Sequence, residues 1–290
     1  MPDTLITPAA LATHLAARDW VIIDCRFDLA RPDWGAQAFA AGHIPRALYA
    51  HLERDLSGPV TPQSGRHPLP AVATLAASLG RFGIDRTVQV VAYDQGSGAF
   101  AARLWWLLRW LGHTSVAVLD GGFAAWERAG LPVSNEAFTP TARRFEAHAN
   151  GALLSSSAEV AAALASGALA RGAPLLVDAR SADRFAGENE TIDAVAGHIP
   201  GARNHPFATN QDAQGRWLPA AQLRAAWQAT LAGRSPQQLI AMCGSGVTAC
   251  HNLLALEVAG LSGARLYAGS WSEWIRDPAH AIARGRESAG

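Results

Sequence analysis

Short apolar runs alternate with helical patterns along the whole chain, and the runs end in recurring ways. Residues 20–24 (WVIID) and 175–178 (LLVD) close on a carboxylate, whereas 88–93 (VQVVAY) and 238–241 (QLIA) run into glycine-rich loops. Runs of this length between turn residues predict buried strands. Helical patterns cover 99–111 and 220–231, and 7–17 predicts a first helix with Thr7 as N-cap and Pro8 at its first position. Strands alternating with helices predict an α/β sandwich with a mostly parallel sheet, and ligands in such sheets gather beyond the carboxyl ends of the strands. Residues 135–150 (NEAFTPTARRFEAHAN) are polar and follow neither period, which predicts a linker.

The pattern occurs twice. Asp24 and Asp178 are 154 residues apart, and His43 and His198, in AGHIPRA (41–47) and AGHIPGA (196–202), are 155 apart. A strand entering a glycine loop appears at 88–98 and again at 239–246. A turn with Gly122, Phe123 and Trp126 returns as Ser270, Trp271 and Trp274. Four features in one order at nearly constant offset predict an internal duplication, with domains at 1–134 and 151–290 joined by 135–150.

Composition narrows the class. A length of 290 residues with 49% hydrophobic content fills two ordinary cores. Lysine plus arginine and aspartate plus glutamate each total 24, so no global field points to nucleic acid or an anionic membrane. An anionic substrate must be met by local arginines. The first 20 residues lack a basic region followed by an apolar one, and three cysteines without metal spacing fit a reducing compartment; a cytoplasmic protein is expected.

Cys243 stands where a strand is predicted to give way to a helix, followed by Gly244, Ser245, Gly246, Val247 and Thr248. Small residues let successive backbone N–H groups converge, and such a nest at a helix N-terminus favours an anion, here a thiolate or a persulfide. A buried structural cysteine beside a glycine turn fits this stretch equally well. The duplication separates the two readings: Asp94 occupies the equivalent place, 149 residues earlier. A carboxylate suits a nest of N–H groups and cannot carry sulfur, so the first half is expected to be catalytically silent and the second active.

Taken together, AGHIPRA with AGHIPGA, LDGGFAAW (119–126) and CGSGVTAC (243–250) make the chain resemble, over essentially its whole length, the two-domain sulfurtransferases of the rhodanese and 3-mercaptopyruvate sulfurtransferase family. The resemblance implies two tandem rhodanese-like α/β domains, Cys243 as sulfur carrier and no metal or organic cofactor. It implies transfer of sulfane sulfur from a small donor to Cys243 and then to cyanide or a cellular thiol, a thioredoxin-like protein included. The uncharged CGSGV loop resembles that of mercaptopyruvate-using members, since thiosulfate-preferring rhodaneses commonly place basic side chains there.

Arg184 matches a substrate-binding arginine of the family. The family's second arginine has no counterpart in ENETID (188–193), which leaves thiosulfate open as donor. His67 resembles the family's histidine, Glu53 lies where the family has an aspartate, and with Ser245 they correspond to a serine–histidine–acid relay. Arg66 stands beside His67, ready to meet a donor's charge. Thr248 is equally a candidate helix cap. His43, His198, Asp24, Arg26, Asp178 and Arg180 recur in both halves and are expected to serve architecture, Cys250 to be buried, and Trp271 and Trp274 to wall a pocket. A persulfide relay serving a protein partner is the alternative of another class. A phosphatase of related fold is disfavoured because residues 244–249 contain no arginine.

Overall fold

The computed structural model describes residues 4–286, so the outermost residues of the two predicted domains lie outside it. The chain forms two compact units. One consists of the chain up to Gly58 with Leu69–Asn150 and Gln211–Trp217; the other consists of Pro59–Pro68, Gly151–Asn210 and the chain from Leu218. Two short segments are thus exchanged between the halves of the sequence, and Arg66 and His67 belong with Cys243.

The first unit runs β1 (Leu5–Ile6), α1 (Pro8–Ala12), β2 (Trp20–Asp24), α2 (Trp34–Ala41), β3 (Leu48–Tyr49), α3 (Val72–Arg81), β4 (Gln89–Tyr93), α4 (Ala99–Trp110), β5 (Val116–Leu119) and α5 (Gly122–Arg128). The second repeats the order with β6 (Leu154–Ser155), α6 (Ser157–Ala165), β7 (Leu175–Asp178), α7 (Ala182–Ala186), β8 (Arg203–Asn204), α8 (Ala220–Leu231), β9 (Leu239–Met242), α9 (Thr248–Val258), β10 (Arg265–Tyr267) and α10 (Ser270–Trp274). The sheets are ordered β1-β5-β4-β2-β3 and β6-β10-β9-β7-β8, with every pairing parallel. The expected duplicated α/β architecture is therefore present strand for strand.

Local differences have local causes. Thr7 caps α1 by accepting from the Ala10 N–H, as expected, yet the helix ends at Ala12 rather than at residue 17. The Thr13 hydroxyl turns back to the Ala10 carbonyl, and the turn beyond lays His14 on the Trp20 ring, 3.9 Å between centroids. Residues 135–150 carry no helix or strand, following an isolated bridge at Ser134, and Arg143 and His148 donate their N–H groups to the carbonyls of Gly80 and Leu111. The helices after the two glycine loops are buried nearly all round, which is why neither shows a one-sided apolar stripe.

In each unit the second strand ends in a buried ion pair. Arg180 donates to Asp178 at 2.7 Å and to the Gly197 carbonyl at 2.8 Å, and its guanidinium lies 4.9 Å from the Trp271 ring centroid. Arg26 likewise donates to Asp24 at 2.8 Å and to Gly42 at 2.7 Å, over Phe123 at 4.2 Å. Burial pushes the Asp24 carboxyl up, against the opposing pull of Arg26. His43 and His198 tie their turns to the carbonyls of Phe39 and Phe185 and stack on those rings, so their role is architectural as expected.

Trp271 and Trp274 depart from expectation. Both are fully buried and pack with Met242, Ile240 and Tyr267, donating their ring N–H groups to Val195 and Ala281. Rings of this size contribute roughly 4–6 kcal/mol each of gross burial, so they belong to the core rather than to a pocket wall. On α9, Asn252 donates to the His205 carbonyl at 2.9 Å and accepts from Asn210 at 2.8 Å. His205 stacks on Trp227, and burial lowers its imidazole to about 4. Among the described residues no helix is long and apolar enough to cross a membrane.

Two stability predictions follow from these buried groups. Asp178→Ala strands the Arg180 charge and lowers the unfolding free energy by about 3 kcal/mol, read from urea titration; the value sits at the low end because Gly197 and Glu190 remain as partners. His205 stays neutral when folded but takes up a proton when unfolded. The stability it contributes is complete above its ordinary value of 6.5 and is lost as pH falls from there toward about 4. The urea midpoint should therefore drop between pH 7 and pH 5, and His205→Gln should remove that component.

Candidate active site

Asp178 is in register with Met242 on the neighbouring strand, which sets Cys243 just past the sheet's edge. Its carbonyl accepts from the Trp271 N–H at 3.0 Å, and its N–H donates to Ser270 Oγ at 3.1 Å. Ser270 in turn donates to the Tyr267 carbonyl at 2.8 Å. The cysteine's backbone is thereby fixed from both sides, and its side chain turns into the loop. There the Gly246 N–H donates to Cys243 Sγ at 3.1 Å. Gly246 has φ +77°, and a Cβ on it would run into the Ala268 carbonyl, so only glycine fits this turn.

Ser245 is buried and its Oγ lies 2.7 Å from Nδ1 of His67. Arg66, next to His67, donates its backbone N–H to Ser272 Oγ at 3.0 Å. Cys250, two turns into the chain beyond Cys243, is buried and donates its thiol to the Gly246 carbonyl at 3.2 Å. Thr248 is the first residue of α9, and Val247 occupies the cap position, so the expectation of Thr248 as a cap is corrected. The helix starts a residue earlier because the loop itself delivers the chain in helical geometry, with Val247 at φ −86° and ψ −63°.

Arg184 sits on α7 and donates to Glu190 at 2.9 Å and to Asp193 at 3.1 Å. Arg66 meets the other oxygen of Asp193. Their Nη2 atoms stand 2.9 Å (Arg66) and 3.6 Å (Arg184) from where a Cβ on Gly244 would be, so both guanidiniums border the loop. Burial lowers the Arg66 guanidinium from its usual range while Cys243 pulls it back up. Arg180 also reaches Glu190, at 3.4 Å. Three guanidiniums thus meet three carboxylates, those of Asp178, Glu190 and Asp193, beside an uncharged loop.

Glu53 lies in the other unit, exposed, with its backbone N–H donating to His51 Nδ1 at 3.1 Å. Glu190, Asp193 and Ser270 join the site without being expected there. The first two lie in the stretch that lacks the second arginine, and their acidity is itself a sign of arginine partners nearby. Ser270 stands where the other half has Gly122, a difference visible in the aligned repeats.

The first unit shows the same loop filled differently. Asp94 follows β4, its carbonyl accepts from the Phe123 N–H at 2.8 Å, and its carboxylate accepts from Gly96, Gly98, Phe100 and Ala101. Burial nonetheless pushes the Asp94 carboxyl up, outweighing these four N–H groups.

Two α/β units with parallel sheets, each opening a nest at the end of its central strand, define a duplicated fold whose nest holds a carboxylate in one copy and a thiol in the other. The profile of the rhodanese-like domain matches residues 7–129 and 157–277, and the chain belongs to the rhodanese family of sulfurtransferases, enzymes that move sulfane sulfur. It is 50% identical over 283 residues to a protein of Pseudomonas aeruginosa described as a probable 3-mercaptopyruvate sulfurtransferase, covering 97% of this chain and 98% of that one. It is 37% identical over 241 residues to thiosulfate sulfurtransferase of Rattus norvegicus, covering 81% and 77%. The structure of 3-mercaptopyruvate sulfurtransferase from Leishmania major superposes with a TM-score of 0.82 at 31% identity, over 95% of this chain and 76% of that one.

Gly246→Ala should lower kcat/KM for any sulfane donor at least about tenfold, because the added methyl displaces the N–H that faces Cys243. Stability should fall by about 2 kcal/mol through backbone strain, leaving a folded protein in which the activity loss is measurable by thiocyanate formation.

Proposed function

We propose that the chain takes sulfur from 3-mercaptopyruvate onto Cys243 and passes it as a persulfide to cyanide or a thiol, with the aspartate-bearing unit catalytically silent. The Cys243 thiolate attacks the donor's sulfur: an S–S bond forms, the C–S bond breaks, and its electron pair leaves as the enolate of pyruvate, which takes a proton. An acceptor thiolate then attacks the outer sulfur and releases the Cys243 thiolate. With a second thiol, as a thioredoxin-like protein carries, the transferred sulfur leaves as sulfide and the two acceptor thiols close into a disulfide.

The observation that carries this reading is the Gly246 N–H on Cys243 Sγ in a loop without charge, bordered by the guanidiniums of Arg66 and Arg184. N–H groups of residues 244–248 stabilise the persulfide anion as an oxyanion hole stabilises oxygen. The two guanidiniums take up the donor's carboxylate, and Arg66 supplies the second cation that the 188–193 stretch lacks. Ser245, held by His67, offers a hydroxyl to the donor's carbonyl. The balance of three guanidiniums against three carboxylates suits a monoanion with a carbonyl better than a compact dianion.

On one preparation, kcat/KM for 3-mercaptopyruvate should exceed that for thiosulfate by at least about tenfold, a difference of ~1.4 kcal/mol in transition-state binding, with cyanide as acceptor. Cys243→Ser should abolish both activities. Thiosulfate preferred by the same margin would sink the donor assignment. Persulfide transfer to a protein acceptor without small-molecule turnover would favour a relay instead.

A further inference from the structure

Glu190 and Asp193 both face Arg184, but they are held differently. Glu190 is nearly fully buried, bonded to Arg180 and Arg184, and it accepts from the backbone N–H groups of Ile192 and Asp193 at 2.9 Å each. It is a fixed strut of its own loop. The Asp193 carboxylate is spread over two guanidiniums from distant parts of the sequence, Oδ1 on Arg66 and Oδ2 on Arg184. Its side chain is 3% exposed, yet those partners are 25% and 17% exposed, so the pair opens toward solvent above a sealed carboxylate. The same guanidiniums border Gly244, next to Cys243, and Asp193 Oδ2 itself stands 3.6 Å from where a Gly244 Cβ would be.

A carboxylate bridging two arginines beside the sulfur-carrying position has the geometry of a bound carboxylate ligand. We propose that Asp193 is an internal stand-in for the donor's carboxylate and a determinant of donor specificity. Asp193 keeps the Arg66–Arg184 fork in shape when no donor is present, and an anionic donor must displace it to bind. A displaced Asp193 stays close by, so a monoanion meets one repulsion and a dianion twice as much. Asp193 therefore lowers affinity for every anionic donor and lowers it more for thiosulfate. The inference rests on the reading that Arg66 and Arg184 receive the donor's charge.

Asp193→Asn tests it, because the amide keeps the shape and removes the charge. KM for 3-mercaptopyruvate should fall about fivefold, the size of a partly exposed ion pair, and KM for thiosulfate should fall further, with kcat on each within about twofold of wild type. Pyruvate, which carries the carboxylate without the transferable sulfur, should inhibit the variant more tightly and raise its Tm more than it raises that of the wild type. A KM that is unchanged or higher for both donors, or a loss of kcat at constant KM, overturns the proposal. Asp193→Ser, read by the same pyruvate-dependent shift in Tm, decides the question should the asparagine variant not fold. Wild-type protein that turns over thiosulfate and not 3-mercaptopyruvate would sink the donor reading alone, and the effect of Asp193→Asn on the thiosulfate KM would still decide the role of Asp193.

Discussion

The structure depends on how a parallel strand hands over to a helix. Where β4 and β9 end, the chain must turn at once, and the first N–H groups of the next helix have no carbonyl of their own. N–H groups of the turn, joined after β4 by those of Phe100 and Ala101 in α4, converge on the first side chain after the strand, which must be something that accepts. Asp94 accepts from four N–H groups with two oxygens, and Cys243 accepts at sulfur from Gly246. The two units thus answer one constraint with two acceptors, and only the thiol can form a further bond to sulfur.

Around that nest, charge is compensated in layers. Asp178 and Arg180 are paired out of solvent at the end of β7 and brace the Trp271 ring, whose N–H in the main chain holds the Cys243 carbonyl. Glu190 joins Arg180 to Arg184, and Asp193 joins Arg184 to Arg66. Each arginine is thereby oriented by a carboxylate. The innermost pair is structural because it is buried and doubly bonded, while the outermost borders the loop and is the more exposed.

Much of this was legible because the chain says it twice. The LLVD and WVIID runs, the AGHIP turns and the glycine loops reveal the duplication by repetition, and they mark Cys243 by setting it against Asp94. Proximity between separate segments has no local signal. Arg66 and His67 lie in the first half of the sequence yet pack with the unit of Cys243, as the family resemblance implies, and nothing local to residues 59–68 announces that exchange. The ENETID stretch lacks the family's second arginine, and its Asp193 instead meets Arg66, which that exchange brings in. The Trp271 and Trp274 rings suggest a pocket wall in the sequence because aromatic side chains near a strand end fit either role. Their N–H bonds to Val195 and Ala281, which seat them in the core, depend on loops with no periodic signature.

The pair Gly122 and Ser270 shows what the cysteine requires of its surroundings. Both have left-handed backbones, φ +57° and +54°, a conformation that costs glycine nothing and costs serine roughly 1 kcal/mol or more. In the aspartate-bearing unit glycine suffices, because Asp94 organises its own loop through four N–H groups. Sulfur is a weaker acceptor and organises less, so the turn that supports Cys243 must be held from outside. The Ser270 hydroxyl does so by accepting from the Cys243 N–H and donating to the Tyr267 carbonyl. The strained serine is therefore the counterpart of the missing carboxylate: what Asp94 does for its loop from within, Ser270 does for the Cys243 loop from the start of α10.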